Sequence, residues 1–202
     1  MRIIESTHID LIEPFPLREA KRVFGWLHAY KNIVENDLSP KTPESFEEFM
    51  INLLPNVRSF GVIDRDNVLG FRHEAPLIGM VVFEPYTIWN SFIHLASTRR
   101  AWGSGFMDEA IDRALTDIFE TTPTLLRVTG LALANNGPVK GLARRLGWQY
   151  EGKQHDAILQ DGEPRDLVQF CVTRRAWVLK NSTPPPEVEV ENNDSILNNT
   201  RK

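Results

Sequence analysis

The chain has 202 residues, a formal net charge of −4 and a calculated isoelectric point near 5.8, which predicts one domain of about 150–180 residues plus its ends. Its apolar content of 42% is enough for a full core. No run approaches the roughly 20 apolar residues of a membrane helix, and the weakly acidic balance gives no nucleic-acid signal.

The N-terminal third is predicted to contain one short strand and two helices. Residues 2–5 and 9–12 read as a short first strand and its exit, closed by Pro14 and Pro16. Apolar residues spaced three and four apart predict helices over residues 17–34 and 45–54. The first ten residues lack the basic and apolar regions of a signal peptide.

A meander of three antiparallel strands is predicted next, over residues 57–64, 75–84 and 87–96. Gly79 suggests a bulge in the second of these strands, and Pro85 and Tyr86 mark the turn that follows it. The meander leads directly into a glycine-rich turn.

The stretch of residues 91–119, SFIHLASTRRAWGSGFMDEAIDRALTDIF, organises the rest of the chain. It begins as a strand, turns through Arg100-x-x-Gly103-x-Gly105, and continues as a helix with apolar pairs four residues apart. Such a turn leaves backbone N–H groups facing outward at the positive end of the helix dipole, where a phosphate binds well. The spacing is neither a dinucleotide fingerprint nor a Walker loop.

One strand, a short helix and a two-stranded hairpin complete the predicted domain. A strand over residues 125–133 is followed by a helix over 139–146, which Gly147 ends. Strands over 148–160 and 165–178 are joined by Asp161-Gly162, a hairpin signal. From Asn181 the composition becomes rich in proline and polar residues. We therefore predict a domain over residues 1–180 and a flexible tail over 181–202.

Two motifs give a family resemblance. Arg100-x-x-Gly103-x-Gly105, with a strand before it and a helix after it, resembles the acyl-CoA pyrophosphate loop of the GNAT acyltransferases. Residues 136–152, NGPVKGLARRLGWQYEG, resemble a second GNAT segment, with Trp148 in the aromatic place. Residues 166–178 resemble the closing strand of the ribosomal-protein N-acetyltransferase branch. The matches cover about residues 57–178, and the predicted element order, β-α-α-β-β-β-α-β-α-β-β, is also that of the family.

The resemblance implies a fold, an activity and a co-substrate. The fold would be α/β (α+β), the GNAT fold, with a mixed central sheet of about seven strands and helices on both faces. The activity would be acetyl transfer from acetyl-CoA to a primary amine of a small molecule, a protein N-terminus or a lysine. No metal is expected, because the five histidines show no ligand spacing.

The family's cofactor site carries over onto nine residues. By position, the main chain of Leu95 and Ser97 would bind the pantetheine arm, and the amides of residues 102–106 would face the pyrophosphate. Two side chains have alternatives: Arg100 would add charge or brace the turn, and Asn136 would approach the pantetheine or cap a helix. The implied cofactor-binding set is Leu95, Ser97, Arg100, Trp102, Gly103, Ser104, Gly105, Phe106 and Asn136.

The catalytic residues are less clearly marked. Many family members carry a Tyr that protonates the leaving thiolate, and its place here corresponds to Ala143. The Ser of some relatives corresponds to Val139, and neither residue can donate a proton. His94 and Glu84 are the candidate bases; the alternatives are a core histidine and a solvated glutamate at a strand end. Tyr86 is a weaker candidate for the proton donor.

Two hypotheses therefore stay open. The intact glycine-rich loop favours an N-acetyltransferase. The missing Tyr and the long polar tail favour a catalytically inactive GNAT-fold component of a larger assembly, with the tail as a contact to a partner or to a second copy. A single cysteine, Cys171, excludes an internal disulfide and fits a reducing compartment, so a cytoplasmic location without membrane or nucleic-acid partners is expected.

Overall fold

The computed structural model of the protein describes residues 2–13, 57–65, 77–160 and 162–182, which contain eight strands and three helices. The strands are β1 (Arg2–Glu5), β2 (Ile9–Glu13), β3 (Arg58–Asp64), β4 (Leu77–Pro85), β5 (Asn90–Ser97), β6 (Arg127–Leu133), β7 (Gln149–Gln160) and β8 (Glu163–Thr173). The helices are α1 (Phe106–Thr121), α2 (Gly137–Arg145) and α3 (Arg174–Ser182).

The strands form one mixed sheet in the order β1-β2-β3-β4-β5-β6-β8-β7. Only β5 and β6 run parallel, and the other neighbours are antiparallel. The predicted mixed α/β sheet is confirmed, with eight strands instead of about seven. The extra strand arises because residues 2–13 form two paired strands, whose turn is closed by Ser6 N donating to Ile9 O at 3.1 Å.

Helix α1 covers one face of the sheet with the apolar stripe that the sequence predicts. The stripe residues are buried, except for the half-buried Phe106, and they pack against Val81 and Phe83 of β4 and Val128 of β6. Burying a large aliphatic or aromatic side chain stabilises a fold by roughly 1.5–3 kcal/mol. This packing therefore fixes the position of the turn at the helix N-terminus.

Helix α2 lies on the same face as α1. Val128 and Ala132, four residues apart on β6, point to the same side of the sheet. Val128 packs in the cluster around α1, and Ala132 packs with Ala143 of α2. The helices predicted over residues 17–34 and 45–54 lie outside the described residues, as does the tail from residue 183 onward.

The predicted closing strand is too long by five residues. Strand β8 ends at Thr173, and Arg174–Ser182 forms α3. Thr173 Oγ1 accepts from Ala176 N at 3.1 Å, an N-terminal helix cap. The indole of Trp177 packs on Phe119 of α1, with 5.5 Å between ring centroids. The helix also extends two residues beyond the predicted domain boundary at residue 180.

Candidate active site

A cleft opens in the sheet where the two parallel strands separate. Strands β5 and β6 pair only from Asn90 to Phe92 and from Arg127 to Thr129. Beyond these residues both strands continue, to Ser97 and Leu133, without pairing to each other. The opening lies at the carboxyl ends of two parallel strands, where ligands commonly bind in α/β sheets.

The backbone of β5 presents hydrogen-bonding groups to this cleft. Tyr86 N donates to Asn90 O at 3.0 Å, and Thr98 N donates to Ile78 O at 2.9 Å. Hydrogen-bonded residues alternate along an antiparallel pair, so the even-numbered residues of β5 are those that pair with β4. The N–H and C=O groups of Leu95 and Ser97 therefore point away from β4 and toward the cleft.

The glycine-rich loop lies at the end of β5, as the sequence predicts. Gly103 and Gly105 have φ angles of 70° and 83°, a left-handed conformation that favours glycine. Residues 102–105 are exposed, and a Cβ at either glycine would meet nothing within 4 Å. Gly105 caps α1 without a side-chain hydrogen bond. Of the five amides expected to face a diphosphate, those of Trp102 and Phe106 donate to Arg99 O and Ser104 Oγ, so the amides of residues 103–105 are the ones that suit an anion.

Three side chains of the loop make polar contacts with neighbouring residues. The guanidinium of Arg100 forms an ion pair with Asp64, a buried carboxylate at the end of β3. Trp102 Nε1 donates to Ser97 Oγ at 3.2 Å. Ser104 Oγ donates to Ala101 O at 3.1 Å and accepts from Phe106 N at 3.2 Å. This ion pair is consistent with the bracing alternative for Arg100, and Asp64 is a partner that the sequence analysis did not single out.

A cavity of about 200 Å³ fills the cleft on the side of α1 and α2. Its walls are mostly apolar, with contributions from both helices and from Trp148. Asn136 lines the cavity and also caps α2, because its Oδ1 accepts from Val139 N at 3.2 Å. Several wall residues were assigned to no site in the sequence analysis. Three of them, Ile111, Leu142 and Leu146, belong to the apolar stripes of the two helices, so the helical periodicity was the only sequence signal that marked them.

The two candidate bases contact each other. His94 Nε2 lies 2.8 Å from Glu84 Oε2, and their side chains are 39% and 37% exposed. A hydrogen bond from His94, together with the charge of its ring, outweighs partial burial and lowers the pKa of Glu84 below its usual value. His94 lines the cavity, whereas Glu84 lies outside the lining set, next to the last residue of β4.

The positions of the family's proton donors are apolar. Ala143 and Val139 both line the cavity. Among the described lining residues, His94 is the only titratable one. Tyr86 lies outside this lining set: it is 66% exposed, and its ring packs on Phe92 at a centroid distance of 4.9 Å.

The described ranges contain neither a metal cluster nor a candidate membrane span. No three His, Cys, Asp or Glu side chains there converge on a metal-sized site. None of the helices in these ranges is both long and apolar enough to cross a bilayer. Cys171 is buried in β8, and burial, with Glu151 as a further cause, raises the pKa of its thiol to about 11.

Comparison with known proteins identifies the family. The model of the acetyltransferase (GNAT) domain matches residues 11–149, more than half of the chain. The chain therefore belongs to the GNAT acetyltransferase family, as the two motifs predict.

Individual relatives are distant but cover most of the chain. A putative ribosomal N-acetyltransferase of Bacillus subtilis (strain 168) is 21% identical over 179 residues, covering 88% of this chain and 92% of the relative. The ribosomal L7/L12 α-N-protein acetyltransferase in complex with coenzyme A has a TM-score of 0.69 at 16% identity, covering 87% and 99%. Spermidine N-acetyltransferase from Vibrio cholerae, in complex with CoA and spermine, has a TM-score of 0.65 at 16% identity, covering 85% and 98%. The two structures share the fold of this chain.

Proposed function

We propose that the protein transfers an acetyl group from acetyl-CoA directly to a primary amine of a small molecule, a protein N-terminus or a lysine. The observation that carries this proposal is the continuity of the cleft with the glycine-rich loop. A phosphate-binding turn and a strand with free backbone groups lie end to end along β5. An elongated ligand with a diphosphate at one end fits this arrangement.

The residues present fit acetyl-CoA in two respects. The exposed amides of residues 103–105, at the positive end of α1, suit the diphosphate. The backbone groups of Leu95 and Ser97 suit the amide groups of the pantetheine arm, which would pair with β5 as a short strand does. Trp102 and Arg100 hold the loop in this shape, through Ser97 and Asp64.

His94 and Glu84 act together as the base in this proposal. Glu84 accepts the hydrogen bond from Nε2–H of His94, which fixes the tautomer and leaves Nδ1 to accept a proton. Nδ1 takes the proton from the acceptor ammonium, and the amine nitrogen then forms a bond to the thioester carbonyl carbon. As the tetrahedral intermediate collapses, the C–S bond breaks and the nitrogen releases its second proton to water, which gives the neutral amide. The departing sulfur leaves as a thiolate or takes a proton from water, because Ala143 and Val139 have none to give.

One observation favours a second candidate function. The cavity wall lacks a hydroxyl at Ala143 and Val139, and a thiolate without a nearby acid leaves more slowly. A protein that binds CoA without transferring the acetyl group would keep the loop and the cleft and need no such acid. In that case the protein would serve as a binding component of a larger assembly.

A pair of substitutions at Gly103 tests the binding site. Gly103→Asp places a carboxylate beside the proposed diphosphate position, whereas Gly103→Asn has nearly the same shape without the charge. Both residues tolerate a left-handed backbone better than most, and the site has no neighbouring atom to clash with. We expect Gly103→Asp to bind CoA at least ~10-fold more weakly than Gly103→Asn, because charge repulsion adds to any shared strain.

Calorimetric titration with CoA measures this difference, and a thiol-release assay with acetyl-CoA and pooled amines measures transfer. Equal CoA affinity for the two well-folded variants would contradict the assignment of the loop. Tight CoA binding without release of thiol for any amine would instead favour the non-catalytic candidate.

A further inference from the structure

We propose that the indole of Trp148 forms the closed end of the cleft and limits the acyl group of the donor to a short chain. This inference rests on the proposed function, because it concerns the acyl end of the same site. It assigns to Trp148 and Gly130 a role in donor selection.

The indole lies against the point where β5 and β6 separate. A Cβ built on Gly130 would come within 3.2 Å of Trp148 Cζ3 and 3.5 Å of Ile93 Cγ2. Gly130 is the first residue of β6 beyond its pairing with β5. The absence of a side chain at Gly130 therefore lets the indole lie directly on the sheet, beside the last closed part of the strand pair.

The position of the indole is fixed by its surroundings. Trp148 N donates to Ala143 O at 2.9 Å, which ties the start of β7 to α2. Its side chain packs against both the cluster around α1 and the cluster of Ala132, Ala143, Val168 and Phe170. A side chain held between two apolar clusters forms a rigid wall, so an acyl chain cannot move it aside at low cost.

The direction of the donor follows from the ends of the cleft. The phosphate loop lies beyond Ser97, at the end of β5, so an arm that runs back along this strand reaches its thioester near the strand separation. The acyl group then points toward the wall formed by Trp148, Ile93 and Gly130. Since the surrounding side chains Ile111, Leu142 and Leu146 are apolar, the wall selects by size and not by charge.

Substitutions at two positions move the wall in opposite directions. Trp148→Leu removes part of the indole and keeps the wall apolar. It should raise the ratio of kcat/KM for butanoyl-CoA to kcat/KM for acetyl-CoA by about 10-fold or more, since one methylene in an apolar pocket changes kcat/KM by roughly 10–200-fold. Trp148→Phe should give a smaller increase. Gly130→Ala pushes the indole toward the cavity, so it should lower kcat/KM for propionyl-CoA more than for acetyl-CoA.

Trp89→Leu is the matched control, since Trp89 is 51% exposed at the β4–β5 turn and outside the cavity. Its acyl preference should equal that of the wild type. Each variant is assayed with acetyl-, propionyl- and butanoyl-CoA, with spermidine and a lysine-containing peptide as amines, and thermal unfolding checks that it is folded. If no amine is acylated, calorimetric affinities for the same three thioesters give the corresponding ratios.

Failure of this inference is distinguishable from failure of the proposed function. If the wild type does not bind CoA, the proposed function is wrong. If CoA binds and the butanoyl-to-acetyl ratio of Trp148→Leu and Trp148→Phe stays at the wild-type value, the role of Trp148 is overturned. A higher ratio in Trp148→Leu, with the opposite trend in Gly130→Ala, supports it.

Discussion

The side chains of Glu84 and His94 contact each other at 2.8 Å, so their substitutions should not have independent effects. We expect His94→Gln to reduce turnover by about 10²-fold, because glutamine cannot take the amine's proton. Glu84→Gln removes only the group that orients the ring and should cost less. The double variant should be no slower than His94→Gln alone, since residues acting as a unit are non-additive.

Steady-state kinetics over a range of acetyl-CoA concentrations measures these effects, and CoA affinity is the control that should not change. Losses that multiply in the double variant would mean that the two groups act separately. Full activity in both single variants would mean that the proton leaves through water or another residue.

The pairing of Glu84 and His94 could not be predicted from the sequence, although both residues could. Their positions on two successive strands follow from local patterns. Their contact depends on the register of β4 and β5, in which Val82 opposes His94 and Glu84 opposes Phe92. A shift of one residue would place the side chains on opposite faces of the sheet, and the turn between these strands carries no two-residue hairpin signal that would fix the register.

Among the secondary-structure elements, helix α3 allows a separate prediction about the free energy of unfolding. Its Trp177 packs on Phe119, and its Lys180 Nζ lies 2.7 Å from Asp112 Oδ1 on α1. Trp177→Ala should lower the free energy of unfolding by about 2–3 kcal/mol, less than the full cost of a buried tryptophan because the side chain is only partly buried. Lys180→Ala should lower it by less than ~1 kcal/mol, as for exposed ion pairs.

Urea denaturation of both variants measures the two changes. A Trp177→Ala variant as stable as the wild type would show that α3 contributes little to the fold in solution. Lys180→Ala is the internal comparison, because it changes the same helix without altering the aromatic contact.

Most elements within the described ranges agree with the sequence-based expectations, and the exceptions have long-range causes. Strand β3, helix α1 and the β7–β8 hairpin follow from strong local patterns. The strand-to-helix change at Arg174 does not, because that side chain donates to Leu125 O at 2.8 Å and Thr122 O at 2.6 Å, about 50 residues earlier in the chain. Contacts of this kind depend on the assembled fold and leave no local periodicity.

At the scale of the whole molecule, a cluster of four charges joins the first strands to α1. Arg2 and Arg58 both contact Glu13 of β2 and Asp117 of α1, with 2.8 Å between Arg2 Nη2 and Asp117 Oδ2. Burial acts to raise the pKa of Glu13, but hydrogen bonds from Arg58 and Arg2 outweigh it and lower this pKa. The pKa values of Glu84, Glu109, Glu151 and Asp166 are also lowered.

These lowered pKa values predict a loss of stability in acid. Since each carboxyl has a lower pKa when folded than when unfolded, the unfolded state binds more protons as the pH falls. The stabilisation is therefore full above the ordinary carboxyl pKa of about 4 and is lost as the pH falls through the folded-state values. Denaturant unfolding between pH 3 and pH 7 should show this decline, and Glu13→Gln should make it shallower. An unchanged pH dependence in Glu13→Gln would contradict the inference that the lowered pKa of Glu13 contributes to the loss of stability in acid.

The separation of β5 and β6 also has a mechanical consequence. Six of the seven neighbouring strand pairs extend along most of the strands, but the two halves of the sheet, β1–β5 and β6–β8, pair with each other only over residues 90–92 and 127–129. We expect this short pairing to let the two halves move relative to each other in the free protein, within the limits set by α1, which packs on both. A ligand lying in the cleft would contact both halves of the sheet and restrict this relative motion. CoA should therefore slow amide hydrogen exchange in both halves of the sheet at once, including strand β7, none of whose residues lines the cavity.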